Sequence, residues 1–311
     1  MIIDVRSYIW SSLDQLGREV AGRMRQRAAE RFEQYEGVMA QFDRAMTCVD
    51  AAIVFGFRSE RLGARVPNEL VASFVGADPR RRFGVGGIDP MCQDALSQVN
   101  QCSDLGLVGV TVSPACQGFH PSHSTAMRVY ERCADLGLPV FVTMLEPLTS
   151  SAMLEFGRPV LWDEVAQAFP SLPIVFGGFG YPWIDETLMM LAKHTRLFAD
   201  ISGVATRPWQ LYNALLSASG LGVMDKLLFG SGFPFDTPES AIENMYSINA
   251  HSHGTQLPSA PRSQIRGIVE RDALACLGIE VEVVGDRTAK PQEAVADLVA
   301  EIARPANGRT K

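Results

Sequence analysis

The chain contains no run of the roughly 18 consecutive apolar residues that a membrane-spanning helix needs, so no transmembrane segment and no membrane partner is expected. Its six cysteines, Cys48, Cys92, Cys102, Cys116, Cys133 and Cys276, include no CxxC pair. That argues against a disulfide framework and leaves most of them as small buried side chains. Basic clusters are also scarce. Only Arg80, Arg81 and Arg82 stand together in a chain of net charge -7, which argues against nucleic acid as the main partner. The N-terminus enters a strand-like IIDV at once, without a basic region, an apolar segment and a small-residue cleavage site. No secretory signal is therefore expected, and a cytoplasmic location follows by default.

What is present is the composition of a globular protein, 47% apolar and 20% charged. The 311 residues could hold two average domains, but a single α/β barrel commonly takes about 250 residues, so length does not force a division. Apolar runs rich in β-branched residues recur at Ile2–Val5, Ala51–Phe57, Phe83–Ile88, Val108–Val112, Val140–Thr143, Ile174–Phe176, Leu197–Ile201 and Leu227–Gly230. Near-continuous apolar strands separated by helical patterns are the signature of parallel strands covered on both faces. Eight such units predict an α/β fold, a (β/α)8 TIM barrel over residues 1–280.

Between the first two strands, residues 14–46 place Met24, Ala28, Phe32, Tyr35, Met39, Phe42 and Met46 at spacings of three and four among charged residues. This predicts an amphipathic helical insertion that packs on its own barrel, or serves as a lid or subunit contact. After the barrel, residues 281–311 predict a short extension: a strand at Val281–Val284, a helix at Pro291–Ala303 and a flexible tail.

Five ordered segments carry a resemblance: IIDVRSYIW at the start, GVTVSPACQGFHPSH at Gly109–His123, ADLGLPVFV at Ala134–Val142, FPSLPIVFGGFGYPWIDETL at Phe169–Leu188 and KLLFGSGFPFDTPE at Lys226–Glu239. Together they resemble the amidohydrolase-related TIM barrels, which include metal-dependent hydrolases of small molecules and decarboxylases of aromatic and amino-muconate acids. In metal-binding members the first strand ends in His-x-His, the fifth in histidine, the sixth in Gly-His-x-Gly and the eighth in Gly-Ser-Asp-x-Pro. Carried over by position, those ligands fall on Arg6, Tyr8, Thr143, Gly178 and Gly232. All five differ from the family pattern.

Threonine and tyrosine are poor neutral ligands, glycine offers no side chain, and Arg6 would bring a permanent positive charge beside any cation. The resemblance therefore implies a degenerate member with no metal and no other cofactor. Elsewhere, the HSH at His251 and His253 lies in a polar segment after the eighth strand and reads as solvated loop histidines. The pair His120 and His123 lies at the barrel mouth, where two histidines without a carboxylate or cysteine partner bind substrate or cap a loop more readily than they hold zinc. GGFG at Gly177–Gly180 and GVGG at Gly84–Gly87 lack the spacing of phosphate-binding loops and are read as strand ends.

The loops after barrel strands build the functional face whatever the chemistry. Arg6 and Arg58 could clamp a carboxylate with their planar forks of donors, with Thr143, Tyr181 and Ser231 beside the ligand. Alternatively, Arg6 fills the space of the metal and pairs with Asp89 or Asp200. Cys116 and His120 share a loop but show no third orienting group, so a thiol nucleophile is disfavoured. Tyr8 or His120 is the better general acid or base, and the family's QGFHP loop survives intact at Gln117–Pro121.

Two functions are compatible with these expectations. One is a non-catalytic pseudoenzyme, a binding or structural subunit forming a homo-oligomer or a hetero-oligomer with an active homologous barrel. The other is a metal-independent hydrolase or decarboxylase-like lyase that acts on a small carboxylate-bearing molecule held by Arg6 and Arg58, with Tyr8 and His120 moving protons.

Overall fold

The structure, a computed structural model, describes residues 1–31, 35–143 and 149–281. The strands are β1 (Ile3–Tyr8), β2 (Ala51–Phe55), β3 (Phe57–Ser59), β4 (Ala64–Val66), β5 (Arg82–Gly87), β6 (Gly109–Val112), β7 (Val140–Val142), β8 (Ile174–Phe176), β9 (Leu197–Asp200) and β10 (Leu227–Leu228). Eight of them form one sheet in the order β1-β2-β5-β6-β7-β8-β9-β10, every neighbouring pair parallel. The circle closes through the residues after β10: Val5 donates to the Phe229 carbonyl at 2.9 Å, Tyr8 to that of Phe233 at 2.8 Å, and Gly232 to that of Arg6 at 2.9 Å. The predicted (β/α)8 barrel is the fold observed.

Alternation divides the core in two. Ile3, Val5, Ile53, Phe55, Val85, Phe141, Val175 and Leu228 fill the barrel interior, while Val54, Val110, Val112, Ile174 and Phe176 belong to the larger core that includes the surrounding helices. An irregularity in β1 aims the residues at the barrel mouth. Asp4 pairs with Ala52 and Ser7 with Val54, so Val5 and Arg6 together oppose Ile53 alone. Such a bulge re-aims a side chain. It lets Val5 join the inner core while Arg6 also turns inward over the Phe55 ring, and it points Ser7 at the Ile53 carbonyl, 2.7 Å away.

The insertion is not one helix. It comprises a 3-10 turn at Leu13–Leu16, α1 (Arg18–Arg31) and α2 (Val38–Ala45), with Gly37 in left-handed backbone before α2. Leu13, Leu16, Val20, Ala21, Met24 and Phe42 are all buried. The insertion thus packs on its own barrel, and Glu19 of α1 binds the strand-β7 loop by accepting from the Ser150 backbone at 2.7 Å and the Ser151 hydroxyl at 3.1 Å. The remaining helices are α3 (Asn68–Gly76), α4 (Ala95–Asp104), α5 (Pro114–Gln117), α6 (Ser124–Leu136), α7 (Asp163–Ala168), α8 (Ile184–Lys193), α9 (Pro208–Gly220), α10 (Pro238–Ser247), α11 (Arg262–Val269) and α12 (Ala273–Leu277). Ala273, Leu274 and Leu277 of α12 pack against the inner core. The strand and helix expected after residue 281 lie outside the described residues. Among the described residues no helix is long and apolar enough to cross a membrane.

Candidate functional site

The five positions that the family uses for metal ligands do converge. Arg6, Tyr8, Gly178 and Gly232 line one hollow at the barrel mouth, of about 90 Å3, and Thr143 lines a smaller one of about 20 Å3 beside it. The guanidinium of Arg6 occupies the point of convergence. Its Nε donates to Asp200 Oδ2 at 2.6 Å, and Nη1 donates to Thr143 Oγ1 at 2.6 Å and to Tyr8 Oη at 3.3 Å. Thr143 in turn lies 3.0 Å from Thr111 Oγ1. The Arg6 carbon Cζ stands 4.7 Å from the centre of the Phe55 ring, an attractive position for a cation.

Arg6 is only 2% exposed and Asp200 not at all, so both charges are paired out of water. Burial works to lower the guanidinium's pKa, but Asp200 and then Tyr8 outweigh it and hold the group charged. The second Asp200 oxygen accepts the Gly178 and Ser202 amides, each at 3.0 Å, and the Ser202 hydroxyl. Among the described residues Arg6 Nη2, a buried donor, has no hydrogen-bond partner.

The room for this guanidinium comes from Gly177. A Cβ there would stand 2.8 Å from Arg6 Cζ and 2.9 Å from the Val142 carbonyl, so any side chain would expel Arg6. Below the pair lies a second carboxylate, Asp4. It accepts from the Arg6 amide at 3.0 Å, from the Ser231 amide at 2.9 Å and from the Ser231 hydroxyl at 2.5 Å. Burial is the main cause that raises its pKa to about 6. Ser231 is thereby turned onto Asp4 and is not among the residues lining the hollow.

The other expected residues separate. Tyr181 lines both hollows, and the Arg207 guanidinium stacks on its ring at 4.4 Å. Arg58 is on β3, paired with Glu60 at 3.1 Å and Asp94 at 3.5 Å. The β3–β4 hairpin carries it away from the Arg6 hollow, so the two arginines do not form a clamp. His120 caps its own turn, its Nδ1 3.2 Å from the Ser122 amide and 3.1 Å from the Ser122 hydroxyl, and it lines neither hollow. His123 likewise accepts from the Thr125 amide at the start of α6. The QGFHP loop is held by Gln117, which accepts from the Ser113 amide at 2.7 Å and donates to the Arg58 and Ile88 carbonyls, both at 2.6 Å. Asp89, the other candidate partner for Arg6, accepts instead from the Glu60 and Met91 amides.

Three participants escape the sequence reading: Gly177, Arg207 and Phe235. Phe235 lines the hollow and joins the barrel to the insertion, with ring centres 6.1 Å from Tyr8, 6.4 Å from Trp10 and 5.7 Å from Tyr35. As for a metal, the donors at the five family positions are a guanidinium, a phenol, a threonine hydroxyl and two glycines. Among the described residues no group of three or more His, Cys, Asp or Glu side chains is placed to hold an ion. The residues present do not fit the group that the family implies.

Comparison with known proteins shows what the chain is similar to. A 2-amino-3-carboxymuconate-6-semialdehyde decarboxylase from Dictyostelium discoideum is 23% identical over 139 residues, covering 39% of this chain and only 39% of that one. Among solved structures, an uncharacterized TIM-barrel protein from Bordetella bronchiseptica superposes with a TM-score of 0.67 at 20% identity, over 89% of this chain and 99% of that one. A dihydroxybenzoic acid decarboxylase from a Polaromonas species, solved with manganese and 2-nitroresorcinol, gives 0.62 at 16% identity over 92% and 99%. An amidohydrolase from Burkholderia multivorans with bound zinc gives 0.66 at 12% identity over 90% and 100%. The family model described as Amidohydrolase matches residues 3–250, and the chain therefore belongs to the amidohydrolase family.

Proposed function

We propose that this chain is a metal-independent member of its family that binds a small anion at the barrel mouth, as a binding or structural subunit and not as a hydrolase. The observation that supports this reading is the Arg6 guanidinium, fixed by Asp200 and Thr143 where the family's ligand positions converge, with Nη2 unspent. A guanidinium there supplies a permanent cation without a metal, and an unpaired buried donor favours a ligand oxygen. The same geometry weighs against water activation. Asp200 and Asp4 are held by their hydrogen bonds and do not line the hollow, and His120 lies outside it, so among the described residues no carboxylate or imidazole lines the anion's place.

Association with a second copy or with a homologous barrel belongs to this reading. Met189 and Trp209, 61% and 54% exposed on the adjoining helices α8 and α9, are apolar surface that such an interface would cover. Elemental analysis of the purified protein, native mass spectrometry and calorimetric titration with small carboxylates test the proposal together. It expects substoichiometric metal and saturable anion binding. One equivalent of zinc or manganese lost on substitution of Arg6 or Tyr8 would overturn it.

A second reading, a metal-independent decarboxylase-like lyase, draws on Tyr8. Its hydroxyl stands 3.3 Å from Arg6 Nη1, beside the place where a carboxylate would dock, and could protonate the carbanion left when carbon dioxide departs. Turnover of a carboxylic acid with release of carbon dioxide, abolished in Tyr8→Phe while binding persists, would select this reading.

A further inference from the structure

Among the described helices of eight residues or more, α9 is alone in carrying no charged side chain. Its exposed residues, Trp209, Gln210, Asn213, Ser217 and Gly220, form an uncharged stripe on a chain of net charge -7. Nine large apolar side chains are exposed among the described residues, and they are not spread evenly. Five belong to this sector: Met189 on α8, Trp209 on α9, Leu221 at the end of α9, Val160, whose amide donates to Glu186 of α8, and Leu257, beside the Pro258 carbonyl that accepts from Tyr212 of α9. The adjoining α8 adds a pattern of its own. Asp185, Met189 and Lys193 are all exposed and follow at four-residue spacing, so they form one ridge that is acidic at its start, apolar in the middle and basic at its end.

From this juxtaposition we infer that the outer face of α8 and α9 pairs with the same face of a second copy of this chain, about a two-fold axis beside Met189. The inference rests on the association part of the reading above and commits it to one partner. Self-complementarity selects a second copy. In a two-fold contact a surface meets itself reversed, so the ridge sets Asp185 of each copy against Lys193 of the other, with the two Met189 side chains at the centre. Asp185 has no ion-pair partner among the described residues, so this contact would supply one. Helices α8 and α9 each join one parallel strand to the next and run the same way. The same reversal therefore brings Trp209, at the start of one α9, against Leu221, at the end of the other. Charge points to the same face. Two chains of like net charge repel, and an uncharged stripe is where they approach at least cost. Interface centres favour Trp and Met and exclude most charge, while charged pairs at the rim fix the orientation.

The test is sedimentation equilibrium of the whole chain at micromolar concentration, on the unaltered protein, on Met189→Asp and on Met91→Asp. Both methionines are exposed, and Met91 follows β5, which stands opposite β9 in the barrel circle. The expected species has twice the 33.9 kDa of one chain. Its dissociation constant should rise about a hundredfold in Met189→Asp, where two like charges meet at the axis, and stay unchanged in Met91→Asp. A monomer throughout, or a dimer indifferent to Met189→Asp, would overturn the inference. Should Met189→Asp fail to fold, Met189→Cys decides. Mild oxidation is expected to link its two copies through position 189, and a yield no higher than that of the unaltered protein would overturn the pairing. None of these results touches the anion-binding reading, which the titration with carboxylates decides; a dimer that binds no anion would overturn that reading alone.

Discussion

Arg6 and Asp200 form an ion pair of 2.6 Å across the barrel mouth, from the bulge of β1 to the last residue of β9, and neither side chain is more than 2% exposed. A buried pair of this kind costs little when intact and much when halved. Arg6→Ala is expected to destabilise the fold by about 3–5 kcal/mol, because Asp200 is left charged and unpaired. Arg6→Met/Asp200→Leu should cost clearly less than the sum of the two single changes. Urea denaturation of the three variants measures this, and additive losses would show that the two charges are not coupled.

Gly177→Ala should mimic the loss of Arg6 without touching it. Its Cβ would collide with Arg6 Cζ and with the Val142 carbonyl, of which only the first can move. The expected penalty is about 1–3 kcal/mol, as for other overpacked sites. Anion binding should vanish with it, and a variant that binds normally would mean that the guanidinium has another resting place.

The Asp4 carboxyl, raised from 3.8 to about 6, makes stability depend on pH. The folded state holds its proton to higher pH than the unfolded chain does. Its contribution is therefore fully present below about pH 4 and is lost as the pH rises through about 6, a change on the order of 3 kcal/mol. Denaturation midpoints measured from pH 4 to 7 should show this fall, and Asp4→Asn should flatten it. An unaltered profile in Asp4→Asn would assign the dependence to other groups.

Within the QGFHP loop, structure and chemistry separate. Gln117→Ala removes partners from the Ser113 amide, the buried Ile88 carbonyl and the half-buried Arg58 carbonyl, so a loss of about 3 kcal/mol is expected. His120→Ala removes the contacts with Ser122 and an edge-to-face contact with the Phe156 ring, and should cost about 1 kcal/mol. Thermal denaturation compares the two. The reverse order would restore His120 as the central residue of this loop.

The eight barrel strands were legible because each is an apolar run long enough to stand out. The end of β1 was not, since Arg6 and Ser7 interrupt the run that predicts a strand at Ile2–Val5, yet both are buried by a bulge that periodicity does not reveal. Residues Ala51–Phe57 likewise read as one strand. The chain instead leaves the sheet at Gly56, where a Cβ would sit 3.0 Å from the Gly87 amide, and enters the small hairpin that takes Arg58 away. Within the candidate site, the replaced ligand positions and the option of an Arg6–Asp200 pair could be read by alignment of motifs. Gly177 could not, because a glycine before a glycine-rich turn gives no sign of which side chain fills the space it leaves. Asp4 was hidden for a similar reason: its partner Ser231 is 227 residues away, and only barrel closure brings them together.

The interlock of Arg6, Gly177 and Asp200 also bears on what histidine substitutions at the family's ligand positions would do. A histidine restored at position 6 would abandon the buried charge of Asp200. One restored at 178 would stand in left-handed backbone, φ +59, within 3.0 Å of the Ser202 carbonyl. Any side chain at 232 would meet left-handed backbone as well, φ +77. Each such single substitution is expected to give a less stable protein with too few ligands to bind an ion.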